Sequence, residues 1–335
     1  AKMETDDIAA ITTAQITALK TAQMAALTTA QVVALSEDQV ATLTTAQLAA
    51  MSTLQVKAIE TDDLEAITTA QITALTTAQM AVLTTAHVVA LSTKQVSKMT
   101  TAQLAAMSTL QVKALETDDL AAITTAQITA LTTAQVAGMT TAQVTALSAL
   151  QMKALSSTQL QALTTAQAAV LTTAQVQSLS SGQVSGMDTA DIAQLGTAQI
   201  RAMTAAAVAG MTTAQVANLS TDQVSALKVD QLKTLTTAQV VAITTAQAAA
   251  LTSAQMTGIS ATQIAAMQAA DVAALSTTVI SNLNAAQVQG MTTAQIEGLS
   301  TAQVAKMGAA QLAALSSTQL AAMQTEDIKQ LGTAQ

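Results

Sequence analysis

The side chains that come closest to a reactive cluster are three acidic runs, each reading Glu-Thr-Asp-Asp, which begin at Glu4, Glu60 and Glu116. Closely spaced carboxylates can bind calcium or act as an acid–base pair. These runs, however, lack the glycine and the ligand spacing of a calcium loop, and they stand at predicted helix N-termini, where backbone N–H groups stabilise anions. We interpret them as helix caps, with a weak cation site and catalysis as the alternatives; the carboxylates concerned are Glu4, Asp6, Asp7, Glu60, Asp62, Asp63, Glu116, Asp118 and Asp119.

The rest of the sequence offers little chemistry. There is no cysteine, which excludes disulfides, thiol nucleophiles and cysteine-bound metals, and the single histidine, His87, replaces a glutamine in a helix-capping pattern and is expected to be a polar cap. The 16 methionines, such as Met51, Met99 and Met107, alternate with leucine and isoleucine at core positions, which favours packing over copper or haem ligation. We predict that the protein is not an enzyme and has no catalytic residue, metal site, cofactor or small-molecule substrate.

Charge and hydropathy restrict the partners as well. The 335 residues carry a net charge of −8, and the 12 basic residues form no cluster, so nucleic acid is not expected as a partner. The longest apolar run, residues 205–211, is far shorter than the roughly 20 residues of a membrane-spanning helix, so we predict no membrane span. The first residues do not resemble a signal peptide, and we expect any targeting signal to lie outside this sequence or to have been removed.

An eight-residue repeat must position all of these side chains. Leu, Ile or Met occupies every eighth position from Met3 to Leu331, at all 42 places, and we call this the Leu column. Five residues later comes the Val column, which is Val, Ile, Leu or Met in 39 of 41 octads, with Ala168 and Ala248 as exceptions. The consensus octad is Leu-Thr-Thr-Ala-Gln-Val-Ala-Ala.

The octad predicts short helices. The three-residue step from the Val column to the next Leu column suits a helix face, but one long helix is excluded because eight residues at about 100° each would turn the apolar stripe by about 80° per octad. The chain must therefore bend in every octad. Ser or Thr follows the Leu column in 30 of 42 octads, and Gln or Asp stands three residues later in 39, which is a capping box. We predict an all-α solenoid of about 41 very short helices, one per 8-residue repeat, each N-capped by a Ser/Thr-x-x-Gln box.

The octads are predicted to stack on one another, and they also form a longer repeat. One octad cannot bury enough apolar surface to fold alone, so neighbouring octads must stack, and we predict a single continuous octapeptide-repeat solenoid over residues 1–335. Residues 1–56 and 57–112 agree at 43 of 56 positions, and the likeness continues into the start of 113–168. Either a block of seven octads was duplicated, or seven octads complete whole superhelical turns, for example two turns of 3.5 octads.

Two further columns predict which positions lie against neighbouring backbone and which face solvent. The position before the Leu column is mostly Ala or Gly, which is expected to let backbones approach closely. The position after the Val column holds Lys57, Glu65, Lys113, Lys153 and Arg201, and is expected to face solvent.

The paired threonines suggest an alternative function. In pairs such as Thr12-Thr13 and Thr44-Thr45 the first hydroxyl is used as a cap, while the second is free to point outward at a fixed pitch. Regular outward threonines resemble ice-binding surfaces, although Glu37, Asp38 and Lys94 interrupt such a face. The alternative functions are therefore a surface-binding module with a solenoid groove or a threonine face, an adhesin stalk, or an ice-binding threonine-rich face.

The string Leu75-Thr76-Thr77-Ala78-Gln79 and its variants resemble the LTTAQV-type octapeptide arrays of very large, repetitive, adhesin-like secreted or surface proteins of Gram-negative bacteria. The resemblance covers the whole chain and implies an extracellular or cell-surface structural role, but it assigns no functional residue. We predict a rod or filament that serves as a stalk, matrix fibre or sheath component. Because no polar capping repeat is seen, we expect either that the sequence is an excerpt of a longer array or that subunits stack end to end, and we predict end-to-end self-association.

Overall fold

Short helices build the whole protein in the computed structural model, which describes residues 3–332 and Gln335. The chain forms two compact units, Ala1–Leu163 and Thr164–Gln335. Within the described residues of each unit there is one helix per octad and no strand. This confirms the predicted all-α repeat architecture, whereas a single continuous solenoid over residues 1–335 stays a prediction.

The first unit contains 20 helices in its described residues. In chain order they are α1 (Thr5–Ala10), α2 (Thr13–Ala18), α3 (Thr21–Ala25), α4 (Thr29–Val33), α5 (Glu37–Thr42), α6 (Thr45–Ala50), α7 (Thr53–Lys57), α8 (Thr61–Ala66), α9 (Thr69–Ala74), α10 (Thr77–Val82), α11 (Thr85–Ala90), α12 (Thr93–Lys98), α13 (Thr101–Ala106), α14 (Thr109–Ala114), α15 (Thr117–Ala122), α16 (Thr125–Ala130), α17 (Thr133–Gly138), α18 (Thr141–Ala146), α19 (Ala149–Ala154) and α20 (Ser157–Gln161).

The second unit contains 21 helices in the part that the structure describes. They are α21 (Thr165–Ala169), α22 (Thr173–Ser178), α23 (Ser181–Gly186), α24 (Thr189–Gln194), α25 (Thr197–Ala202), α26 (Ala205–Ala209), α27 (Thr213–Ala217), α28 (Thr221–Ala226), α29 (Val229–Lys233), α30 (Thr237–Val241), α31 (Thr245–Ala249), α32 (Ser253–Met256), α33 (Ala261–Ala266), α34 (Ala269–Ala274), α35 (Thr277–Ser281), α36 (Ala285–Gly290), α37 (Thr293–Glu297), α38 (Thr301–Val304), α39 (Ala309–Ala313), α40 (Ser317–Ala321) and α41 (Thr325–Lys329).

Each bend is made by extended backbone at the Leu column and at the cap that follows it. Leu75, which ends α9, has φ −61° and ψ 135°, and Thr76, which caps α10, has φ −70° and ψ 160°. No residue between 3 and 332 has a positive φ, so the bends use no left-handed glycine. The helix therefore stops without a C-terminal capping motif, and its last carbonyl groups need partners from elsewhere.

The apolar columns form the core, and they pack in opposite directions along the stack. In the first turn of the first unit the Val-column residue Ile16 is fully buried while the Leu-column residue Leu19 is only half-buried. Near residue 320 of the second unit the order reverses: Leu320, in the Val column, is 50% exposed while Met323, in the Leu column, is buried. The Leu column thus packs against the preceding turn and the Val column against the following one.

Helices three positions apart in the chain lie against each other, as α5 does on α8 and α31 on α34. The small column before the Leu column contacts the turn below: a Cβ added at Gly210 would lie 2.5 Å from the Cβ of Ser181, and one at Gly258 would lie 2.6 Å from the Val229 carbonyl oxygen. The predicted close approach is therefore present at these positions.

The column after the Val column lies outside, as predicted. Its charged residues are all exposed, and they are Lys57, Glu65, Lys113, Lys153, Arg201, Lys233, Glu297 and Lys329. Among the helices between residues 3 and 332, none has the length and apolarity needed to cross a membrane.

Candidate functional site

The buried polar position of each octad is the glutamine three residues after the cap. At Gln111 in α14, the backbone N–H donates to the Ser108 hydroxyl at 3.2 Å, and the side-chain Oε1 accepts from the Ser108 backbone N–H at 2.6 Å. The same reciprocal pair joins Thr76 and Gln79. The predicted capping box is therefore confirmed.

The other end of the same side chain joins one turn to the next. The Nε2 of Gln111 donates to the carbonyl oxygens of Met80 and Leu83, each at 2.8 Å, which lie 31 and 28 residues earlier. Met80 and Leu83 stand at the C-terminal end of α10. The Met80 carbonyl also accepts from the Leu83 backbone N–H at 3.3 Å, whereas no backbone N–H of the described residues bonds to the Leu83 carbonyl. One glutamine thus caps the start of its own helix and the end of a helix one turn below.

This arrangement recurs along both units, and we call it the glutamine ladder. Its members that donate within their own unit are Gln31, Gln39, Gln47, Gln55, Gln71, Gln79, Gln95, Gln103, Gln111, Gln127, Gln135, Gln143, Gln151 and Gln159 in the first unit, and Gln199, Gln215, Gln223, Gln231, Gln239, Gln247, Gln255, Gln263, Gln287, Gln295, Gln303, Gln311, Gln319 and Gln335 in the second.

The ladder explains why the column is glutamine. A capping box accepts Glu or Gln equally well, but only the amide supplies an acceptor and a donor at once. The column holds 33 glutamines, six aspartates and no glutamate. That exclusion of glutamate is the sequence feature that could have revealed the turn-to-turn bond, which sequence reasoning missed.

The ladder also measures the turn. Its offset of 28 residues corresponds to three and a half octads, and two such offsets make seven octads, the longer period of the sequence. The structure therefore has the turn length that two turns of 3.5 octads per seven-octad block require.

His87 takes the glutamine position in α11. Its Nδ1 accepts from the Thr84 N–H at 3.3 Å, and its ring also hydrogen-bonds to the Ile59 backbone, three and a half octads earlier. Burial lowers the pKa of His87 below 6.5, and the nearby charge of Lys57 lowers it further, while the Ile59 bond opposes both. The histidine is thus the polar cap that the sequence predicts. Like a ladder glutamine, it hydrogen-bonds both to its own cap residue and to the backbone of the turn below.

The acidic runs also act as caps. The Glu4 N–H donates to Asp7 Oδ2 at 2.9 Å, and the Glu116 N–H donates to Asp119 Oδ2 at 3.1 Å. Among the described residues, no group of three or more His, Asp or Glu side chains is arranged to hold a metal ion. The cap bonds at Glu4 and Glu116 agree with the predicted capping role of the first and third runs.

Asp63 is the acidic residue with the most perturbed surroundings in the first unit. It is only 5% exposed. Burial raises its pKa to about 6, and the carboxylates of Glu60, Glu37 and Asp62 add to the rise, while the Glu60 backbone N–H opposes it.

The remaining candidate residues are the methionines of the Leu column and the second threonines of the Thr pairs. Met51 and Met99 are buried in the Leu column, so they are core residues. The second threonines of the pairs, such as Thr13 and Thr45, are exposed, as the sequence predicts. Chemically, the ladder can join turns to one another, because both ends of each buried amide are used in hydrogen bonds within the protein.

The sequence profile of the ALTTAQ repeat matches this chain almost throughout, at residues 1–37, 25–53, 56–93, 88–117, 112–149, 150–181, 184–221, 208–237, 224–261, 264–301 and 296–325. The chain therefore belongs to the ALTTAQ repeat family. None of the curated proteins matches it.

Proposed function

We propose that this member of the ALTTAQ repeat family is an extracellular structural protein, a rod or filament that serves as a stalk, matrix fibre or sheath component. A structural role follows from a tandem array of helices in which successive turns dock through the same ladder. The observation that carries the proposal is this uniformity, because each turn is held mainly by its nearest neighbours and the array can be lengthened without a new kind of contact.

The direction of the ladder supports growth by end-to-end association. One side of every turn offers glutamine Nε2 donors and the Leu column, and the other side offers carbonyl oxygens and the Val column. Single turns show this polarity: in the first unit Gln23 is exposed and Leu19 half-buried, and in the second unit Leu320 and Ile328 are exposed. Two uncovered turns of opposite kind complement each other, which favours head-to-tail contacts.

Surface composition favours a structural role over a binding module. Binding hot spots concentrate in buried Trp, Tyr and Arg anchors, and this sequence has no aromatic residue and a single arginine, Arg201. The extracellular location is supported by the resemblance of the octads to arrays in secreted and surface proteins.

Two matched deletions test the rod. Removal of residues 57–112, which are seven octads, keeps the phase of every column, so we expect electron micrographs of rods of the same width but reduced length, with little change in melting temperature. Removal of residues 57–60 shifts the columns by half an octad and should lower the stability. Loss of folding after the seven-octad deletion, or compact particles from the intact chain, would overturn the proposal.

Separate measurements test the location and the alternative. Protease added to intact producing cells should digest the protein if it is extracellular, and full protection would place it inside. Thermal hysteresis in freezing solutions would favour the threonine face, and a monomer with high affinity for one ligand would favour a binding module.

A further inference from the structure

Asp63 stands at a ladder position but cannot complete the ladder. Its side chain is 5% exposed, and Oδ2 is buried without a hydrogen-bond partner. The glutamines of this column reach the Leu-column carbonyl oxygen three and a half octads earlier, which for Asp63 is that of Leu35. Within the described residues no donor reaches the Leu35 carbonyl.

The protonation state of Asp63 decides whether its carboxyl group has a hydrogen-bond donor or, like the Leu35 carbonyl, only acceptors. An ionised carboxylate has only acceptors, so it presents negative oxygen to a layer of carbonyl oxygens, whereas a protonated carboxyl has one O–H donor. A buried acceptor without a donor is destabilising. A proton on Asp63 therefore gives this buried position a donor, which the ionised carboxylate lacks.

An internal control lies seven octads further on, where Asp119 has the same Glu-Thr-Asp-Asp sequence. Asp119 is also buried, and its Oδ2 accepts from the Glu116 backbone N–H at 3.1 Å, whereas the Oδ2 of Asp63 has no partner. The helices beneath the two residues also differ. Helix α8 packs on α5, which begins with Glu37 and Asp38, whereas α15 packs on α12, which begins with Thr93 and Lys94.

We propose that Asp63 is a proton-dependent joint of the array: α8 and the turn beneath it, α4 to α5, hold together most strongly when the Asp63 carboxyl carries a proton, and they loosen when it ionises. This inference does not depend on the proposed function, because it concerns the strength of one turn-to-turn contact.

The charges around Asp63 favour the protonated form. Its own octad and the elements packed against it together carry five carboxylates and four basic groups, and α4 and α9 contribute none. The charged and titratable groups are Glu60, Asp62 and Glu65 on its own octad, Glu37 and Asp38 on α5, Lys57 on α7, His87 on α11, and Lys94 and Lys98 on α12. Burial, with Glu60, Glu37 and Asp62, raises the pKa of Asp63 to about 6, from 3.8. Because the folded pKa is raised, the stabilisation is complete below pH 3.8 and is lost as the pH rises through about 6.

Carbon-13 NMR of the aspartate carboxyl groups in the full chain tests the proton directly. We expect a resonance with a midpoint near pH 6 that disappears in Asp63→Asn and moves to lower pH in Glu37→Thr. Asp191 should contribute a second such resonance, because burial and Asp188 raise its pKa to about 6, and this one should persist in both variants. A midpoint near 4 for the resonance lost in Asp63→Asn would overturn the proposal.

Hydrogen exchange tests the joint. After correction for intrinsic rates, we expect the amides of α4 and α5 to open more at pH 7.5 than at pH 4.5, by up to roughly 25-fold, because part of the effect of a rise of about two pKa units already falls below pH 4.5. Asp63→Gln, which restores the amide, should remove this dependence, whereas Asp119→Gln should leave it in place. Equal opening of the wild type at both pH values would refute the joint, even if Asp63 titrates near 6.

Discussion

Residues 108–115 and 204–211 are two octads that differ at the ladder position. The first has Gln111, which bonds both its own cap and the turn below, and the second has Ala207, which can do neither. Yet both form a helix, α14 and α26, and in the second the Ala207 N–H still donates to the Thr204 hydroxyl at 3.1 Å. Helix α26 also still packs between α23 and α29.

The difference between Gln111 and Ala207 separates two structural roles within the octad. The cap hydroxyl and the apolar columns are sufficient to form a helix and place it in the stack, because both octads share them. The glutamine adds the second half of the capping box and the bond between turns. The loss of one ladder bond (one rung of the glutamine ladder) is tolerated because ladder bonds on neighbouring helices still join the same two turns.

The largest expected effect comes from the columns that the two octads share. Leu131→Asp would bury an unpaired charge in the Leu column, and we expect a loss of at least about 3 kcal/mol, seen as a lower denaturant midpoint and faster hydrogen exchange around α16. Lys113→Ala, in the exposed column, should change stability by no more than about 0.5 kcal/mol. Similar losses from the two variants would mean that inside and outside are misassigned.

A reciprocal exchange at the ladder position should have the next largest effect. Gln111→Ala leaves the Ser108 N–H and the Leu83 carbonyl without this partner in a buried layer, so we expect a loss of about 2–4 kcal/mol by chemical denaturation. Ala207→Gln should restore the missing rung and add about 1 kcal/mol. If the alanine variant costs less than about 0.5 kcal/mol, the ladder is not what joins the turns.

The same comparison shows what the sequence can predict. Periodicity places every apolar column, and the Ser/Thr-x-x-Gln spacing places the helix starts, because both depend on residues within one octad. The turn-to-turn bond joins Gln111 to Leu83, 28 residues away, and no local rule contains that distance. The orphaned Oδ2 of Asp63 could not be predicted for the same reason, since it depends on which carbonyl lies beneath and on Glu37 in α5.

His87 provides the smallest and most selective test, because its ring completes the rung only when it is neutral. Protonation would convert Nδ1 from the acceptor of the Thr84 N–H into a donor. Since burial lowers the pKa of His87 in the folded protein, its stabilisation is complete above pH 6.5 and is lost as the pH falls below that value.

His87→Gln should therefore match the wild type in free energy of unfolding at pH 8. At pH 5 the free energy of unfolding of the variant should be higher, by up to about 1.4 kcal/mol for each unit by which the folded pKa of His87 is lowered, and its melting temperature should be higher too. Taking the difference between variant and wild type at each pH cancels the opposite contribution of Asp63, which is present in both proteins. A constant difference from pH 8 to pH 5 would show that the ring tolerates a proton at this position, and that the rung at α11 does not depend on the Nδ1 acceptor.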